Sequence, residues 1–162
     1  MNIIVEIIYE LSKNRNDVES RVTDIARPMV IHLIKIYIWR DTEYKDGWIK
    51  EVCNFLNYVP TLKGSHKHPK GKDLYEWLWK EDREKNFNKT LRYVISLVGS
   101  TDKQYESLKR PANIISPDVK DFVDDYMRWV SFELSSEGEI DLEDVRLRVE
   151  SLLRKYPYEL KE

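Results

Sequence analysis

The sequence is poor in the residues that punctuate or staple a chain. Its 162 residues include one cysteine, five glycines and six prolines. A lone Cys53 excludes an internal disulfide framework and any zinc site built from cysteines alone. Set among Val52, Phe55 and Leu56, it reads as a small buried apolar side chain. The scarcity of Gly and Pro excludes collagen-like and low-complexity chains. A composition of 41% apolar and 35% charged residues excludes a wholly disordered one. No apolar run approaches the ~20 residues that cross a bilayer. Met1-Asn2-Ile3-Ile4-Val5-Glu6 lacks a basic flank, and Glu6 and Glu10 interrupt the apolar stretch, so a secretory signal is not expected and the cytoplasm is. The net charge is −2, with 27 basic against 29 acidic residues, which gives no overall electrostatic footprint for nucleic acid.

What the sequence does contain is helical periodicity, without strand alternation. A first segment, Asn2 to Leu11, carries Ile4, Ile8 and Leu11 on one stripe. From Asp17 to Arg40, Val18, Val22, Ile25, Met29, His32, Ile36 and Trp39 recur at steps of four and three. Ala26, Val30, Leu33 and Tyr37 form a second stripe beside them, so this is the expected central helix. Pro28 lies inside it, and the register continues across it, which predicts a kink and not a break. Asp46 is placed to cap the next helix, Asp73 to open a capping box with Glu76, and Asp102 to start a short helix. Gly99 suits a left-handed cap, and Asp141 suits the start of the last helix. Six to eight helices are expected, in a single all-α bundle over 1–162. The stretches 1–60 and 73–162 are possible sub-layers, joined by a basic loop at 61–72.

Four places could carry chemistry. The loop supplies Lys63, Lys67, Lys70 and Lys72 without a carboxylate, and four ammonium groups can contact the phosphates of RNA or DNA without reading sequence. It is no nucleotide P-loop: the spacing of Gly64 and Gly71 is wrong, Asp73 replaces the hydroxyl residue, and no strand precedes it. The plain alternative is a solvated loop. His66 and His68 offer two imidazoles to a cation, but the neighbouring lysines oppose one, so neither metal nor cofactor is expected. His32 sits on the apolar seam, where a buried imidazole needs a partner such as a backbone carbonyl near Pro28.

The stretch from Asp118 to Asp144 holds ten carboxylates against Lys120 and Arg128. Asp118, Asp121 and Asp125 share a helical face that could hold a hard cation, although no calcium-loop spacing is present. The plain readings are a solvated face or a surface for a basic partner. Last, at 100° per residue Leu74, Tyr75, Trp77, Leu78 and Trp79 span about 200° of one helix. That is more than one packed face needs, so Tyr75 and Trp79 are the expected partner-binding residues. A contact with a second layer of the core is the alternative.

The run His32-Leu33-Ile34-Lys35, with Trp48 at the start of the next helix, resembles a bacterial helical family known only as a domain of unknown function, whose members carry His-Leu-Leu-Lys and then Ser-Trp. The resemblance covers about a quarter of the chain, and Gly47 replaces the serine. It implies an all-helical fold and no assigned activity.

Together these features point to a non-enzymatic helical protein acting through protein–protein contacts, as an oligomer, adaptor, inhibitor or antitoxin-like partner. A nucleic-acid-associated accessory protein using the lysine loop is the alternative. A metal-dependent hydrolase using His32, or His66 and His68, with a carboxylate of Asp118–Asp125 is the second. A small-molecule substrate and a membrane are not expected.

Overall fold

The longest stretch of apolar periodicity becomes the longest helix. In the computed structural model, which describes residues 15–57, 75–112, 114, 116–135 and 139–160, α1 runs over Arg15–Ile38. It passes through Pro28 without a break. Five further α-helices occur among the described residues: α2 (Lys45–Phe55), α3 (Glu81–Ser96), α4 (Lys103–Glu106), α5 (Ser116–Ser135) and α6 (Leu142–Lys155). No strand occurs among these residues. The protein is an all-α helical bundle. The expected first helix, Asn2 to Leu11, lies outside the described residues, as do the basic loop at 61–72, Asp73 and Gly138.

α1 is central because its second half is apolar nearly all round. Leu33, Ile34, Ile36, Tyr37, Ile38 and Trp39 are each at most 1% exposed, so this stretch is enclosed on every side. It packs most extensively on α2 and also meets α3 and α5, while α2 and α5 both pack on α6. Elements on either side of residues 58–74 therefore share one core. Each fully buried large apolar side chain in it contributes about 1.5–3 kcal/mol. Lys35 lies within the enclosed stretch, with its ammonium 5.2 Å from the centre of the Tyr105 ring. Burial lowers its pKa, while Asp102 and Glu51 act in the opposite direction.

The chain turns after α1 around two side chains. Trp39 donates its indole N–H to the Lys109 carbonyl at 2.8 Å and packs against Trp48, with ring centres 6.2 Å apart. Arg40 donates Nε–H to the Tyr37 carbonyl at 3.0 Å and Nη1–H to the Leu153 carbonyl at 2.8 Å. Its guanidinium lies over the Tyr37 ring at 4.7 Å. One side chain thus ties the end of α1 to the end of α6, where a cation also suits the helix dipole.

The helix starts obey local chemistry with two corrections. Asp141 accepts from the Asp144 amide at 2.8 Å while Asp144 accepts from the Asp141 amide at 3.1 Å, a complete capping box worth ~1 kcal/mol. Asp102 caps α4 by accepting from the Gln104 amide at 3.0 Å. Asp46 is not a cap: the cap position is Tyr44, two residues earlier, and Asp46 sits inside the first turn. Gly99 is not a left-handed cap either. α3 ends by tightening into a 3-10 turn over Leu97–Gly99, which satisfies the last carbonyls without a positive φ.

Candidate functional site

The aromatic segment before α3 is built differently from the sequence expectation. Glu76–Lys80 is a π-helical turn that runs directly into α3. Its i→i+5 closure adds a residue to each turn, so a spacing of 100° per residue does not apply to it. Trp79 is 1% exposed, and its edge packs on Phe87 with ring centres 6.1 Å apart at 87°. Its indole N–H donates to Asp124 Oδ1 at 2.9 Å, and the half-buried Tyr75 donates its hydroxyl to the same oxygen. Arg128 donates Nε–H to Asp124 Oδ2 at 2.8 Å and lays its guanidinium over the Tyr75 ring at 4.3 Å. The expectation that Trp79 stays open to a partner is corrected. It is an internal side chain of a latch that fastens the π-helical turn to α5, and Tyr75 belongs to the same latch.

Electrostatics fit that role. Burial alone would raise the Asp124 pKa, but the hydrogen bonds from Tyr75, Arg128 and Trp79 outweigh it and hold the carboxyl below its ordinary value. Asp125 is engaged as well, by Lys155 Nζ at 2.7 Å and the Tyr156 hydroxyl at 2.6 Å. Much of the acidic run is thus tied down within the chain. Among the described residues, no group of three or more His, Cys, Asp and Glu side chains is placed to hold a metal ion.

His32 is engaged in the same way. Its Nδ1 lies 2.7 Å from the Pro28 carbonyl, so Nδ1 carries the proton, and the ring tilts against Phe55 at 5.6 Å. Burial lowers its pKa, a shift that the Pro28 hydrogen bond only partly offsets. The charges that act on the ring are those of Lys35 and Glu51, not the carboxylates of α5. Burial also raises the Cys53 thiol pKa, away from the reactive thiolate. Lys63, Lys67, Lys70, Lys72, His66 and His68 all lie outside the described residues.

A surface that sequence reasoning missed lies between α5 and α6. There a groove of about 460 Å³ is lined by Trp129 and Glu133 of α5, by Glu139 and Ile140 before α6, and by Asp144, Leu147, Arg148 and Ser151 of α6. Leu147 is 61% exposed, and Phe132, three residues beyond Trp129 on α5, is 69% exposed. Arg148 lies over the Trp129 ring at 5.2 Å. Three carboxylates against one guanidinium give the lining a negative balance. The signal available in the sequence was Leu147, an apolar residue off the buried stripe of α6, whereas Trp129 lies one heptad beyond Phe122, at the edge of the buried stripe of α5, and is partly buried. Those stripes run through Val119, Phe122, Val123, Tyr126 and Val130 on α5, and through Val145, Val149 and Leu152 on α6.

No family model, no curated protein and no solved structure matches the chain. No helix among the described residues is long and apolar enough to cross a membrane.

Proposed function

We propose that this chain is a non-enzymatic helical protein that works through protein–protein contact, and that the groove between α5 and α6 is its contact site. The partner is a basic amphipathic segment. Its apolar side chains would meet Trp129, Ile140 and Leu147, and its cations would meet Glu133, Glu139 and Asp144. The observation that carries this reading is the groove itself, where the exposed Leu147 and the half-buried Trp129 and Ile140 share a lining with three carboxylates and one guanidinium. Apolar anchors supply most of an interface's affinity, and rim charges select the partner and speed the encounter. Trp79 no longer supports association, because it is buried.

The test is calorimetric titration of the full chain with two synthetic 18-residue helices, one of leucine and lysine, the other of leucine and glutamate. The lysine helix should bind and the glutamate helix should not. Leu147→Asp and the double variant Glu133→Lys/Glu139→Lys should each weaken binding about tenfold or more, since ~1.4 kcal/mol is a decade in affinity. Equal binding of the two helices, or unchanged affinity in both variants, overturns the proposal.

A further inference from the structure

A second cavity, sharing no residue with that groove, lies between α1 and α3. It measures about 410 Å³ and is lined by Arg27 and Ile31 of α1 and by Asn86, Lys89, Thr90 and Tyr93 of α3. The spacing explains the convergence. Positions 86, 89, 90 and 93 fall on one face of α3, and 27 and 31 are one turn apart on α1. Among the described residues, Tyr93, at 53% exposed, and Phe132 are the large aromatic side chains left open to solvent.

The chemistry of the lining is one-sided. It contains a guanidinium, an ammonium, an amide and two hydroxyl groups, with an apolar wall from Ile31 and the Tyr93 ring, and no carboxylate. The two walls extend that bias. Neither wall carries an Asp or Glu from residue 25 to 40 or from 85 to 101, where Lys89 and Arg92 are exposed, while Asp24 and Glu84 border these stretches. A chain with a net charge of −2 thus places two cations and no carboxylate in the lining of a pocket that also holds a half-exposed aromatic ring.

Cations that line the same pocket as a half-exposed ring suit a ligand that joins an anion to a flat π-system. Base stacking on an aromatic side chain with phosphate contacts alongside is the recurring form of that arrangement. The volume falls within the range of sites for small ligands and accommodates one nucleotide. We propose that the α1–α3 pocket binds a nucleotide unit, with its base against Tyr93 and Ile31 and its phosphate between Arg27 and Lys89. The unit is either a free nucleotide or one residue of a single strand, two sources that different probes separate.

The test uses the full chain with two probes: adenosine monophosphate, measured by calorimetry, and a fluorescein-labelled 12-nucleotide uridine RNA, measured by anisotropy at 50 and 200 mM salt. Lys89→Glu should weaken binding about tenfold or more and flatten the salt dependence of RNA binding. Tyr93→Ala should weaken it about fivefold to a hundredfold, as loss of a stacked base does. Lys50→Glu, an exposed lysine of α2, should leave affinity within about twofold. Circular dichroism verifies that each variant is folded. Binding of the monophosphate assigns a free nucleotide, and binding of the RNA alone assigns a strand. Binding of neither probe overturns the proposal. So does affinity unchanged by Tyr93→Ala, because the charge would then act without the pocket.

Discussion

Asp124→Ala removes the acceptor shared by Tyr75 and Trp79, and its cost comes from burial. Trp79 is 1% exposed, so water does not readily replace the lost partner of its indole N–H. An unsatisfied buried donor costs about 1–3 kcal/mol, and loss of the Tyr75 bond adds ~1 kcal/mol. Together these give a destabilisation of about 3 kcal/mol. For a chain of this size, that corresponds to a drop in Tm of about 6–12 °C. Arg128→Ala is the internal comparison. Its side chain is 58% exposed, and an ion pair so open to solvent is worth no more than ~1 kcal/mol. Asp124→Asn should fall between the two, because the amide keeps one acceptor oxygen but points donors at Arg128. Urea unfolding monitored by tryptophan fluorescence gives all three values. An Asp124→Ala chain no less stable than Arg128→Ala would refute a latch made costly by burial. The same latch sets an acid limit: a carboxyl held below its ordinary value of 3.8 contributes stability that is complete above that pH. This contribution disappears as the pH falls through the lowered folded value, and Asp124→Asn should remove that part of the acid transition.

Three more outcomes rest on particular side chains. His32 is neutral in the fold with a pKa below 6.5, so stability should decline as the pH falls from 6.5 through that lowered value; denaturation of His32→Gln at pH 7.5 and 5.5 should show a smaller decline than the parent chain. Arg40→Lys should cost about 1–3 kcal/mol in urea unfolding, because an ammonium cannot reproduce the fork that reaches the Tyr37 and Leu153 carbonyls together. Leu147→Asp should leave stability within about 0.5 kcal/mol, since the side chain is 61% exposed; a larger loss of Tm would mean that the groove is part of the core.

The helices were legible because their signals are local. The stripes of α1, α5 and α6 identify most of the buried core, and Asp102 and Asp141 begin their helices as side-chain capping dictates. The π-helical turn was not legible: its Trp79, and Tyr75 just before it, meet Asp124 45 and 49 residues away, a contact that no local pattern announces. Trp79 is enclosed by α5 and by Phe87, the second-layer contact that the wide apolar arc also allowed. Asp46 and Gly99 show the same limit on a smaller scale, where a boundary displaced by two residues or a tightened last turn alters what the side chain does. The two surfaces on which the functional proposals rest each join residues from two elements. Their local marks were a leucine and a tyrosine off the buried stripes of their helices, Leu147 and Tyr93.

Protein contact through the α5–α6 groove is tested most directly by nuclear magnetic resonance on the labelled full chain as the leucine–lysine helix is added. Progressive, saturable shifts of the Trp129 indole N–H and the Leu147 methyl groups are expected, while the buried Trp39 indole stays in place. Shifts that avoid Trp129 and Leu147, or no shifts at saturating helix, would contradict it.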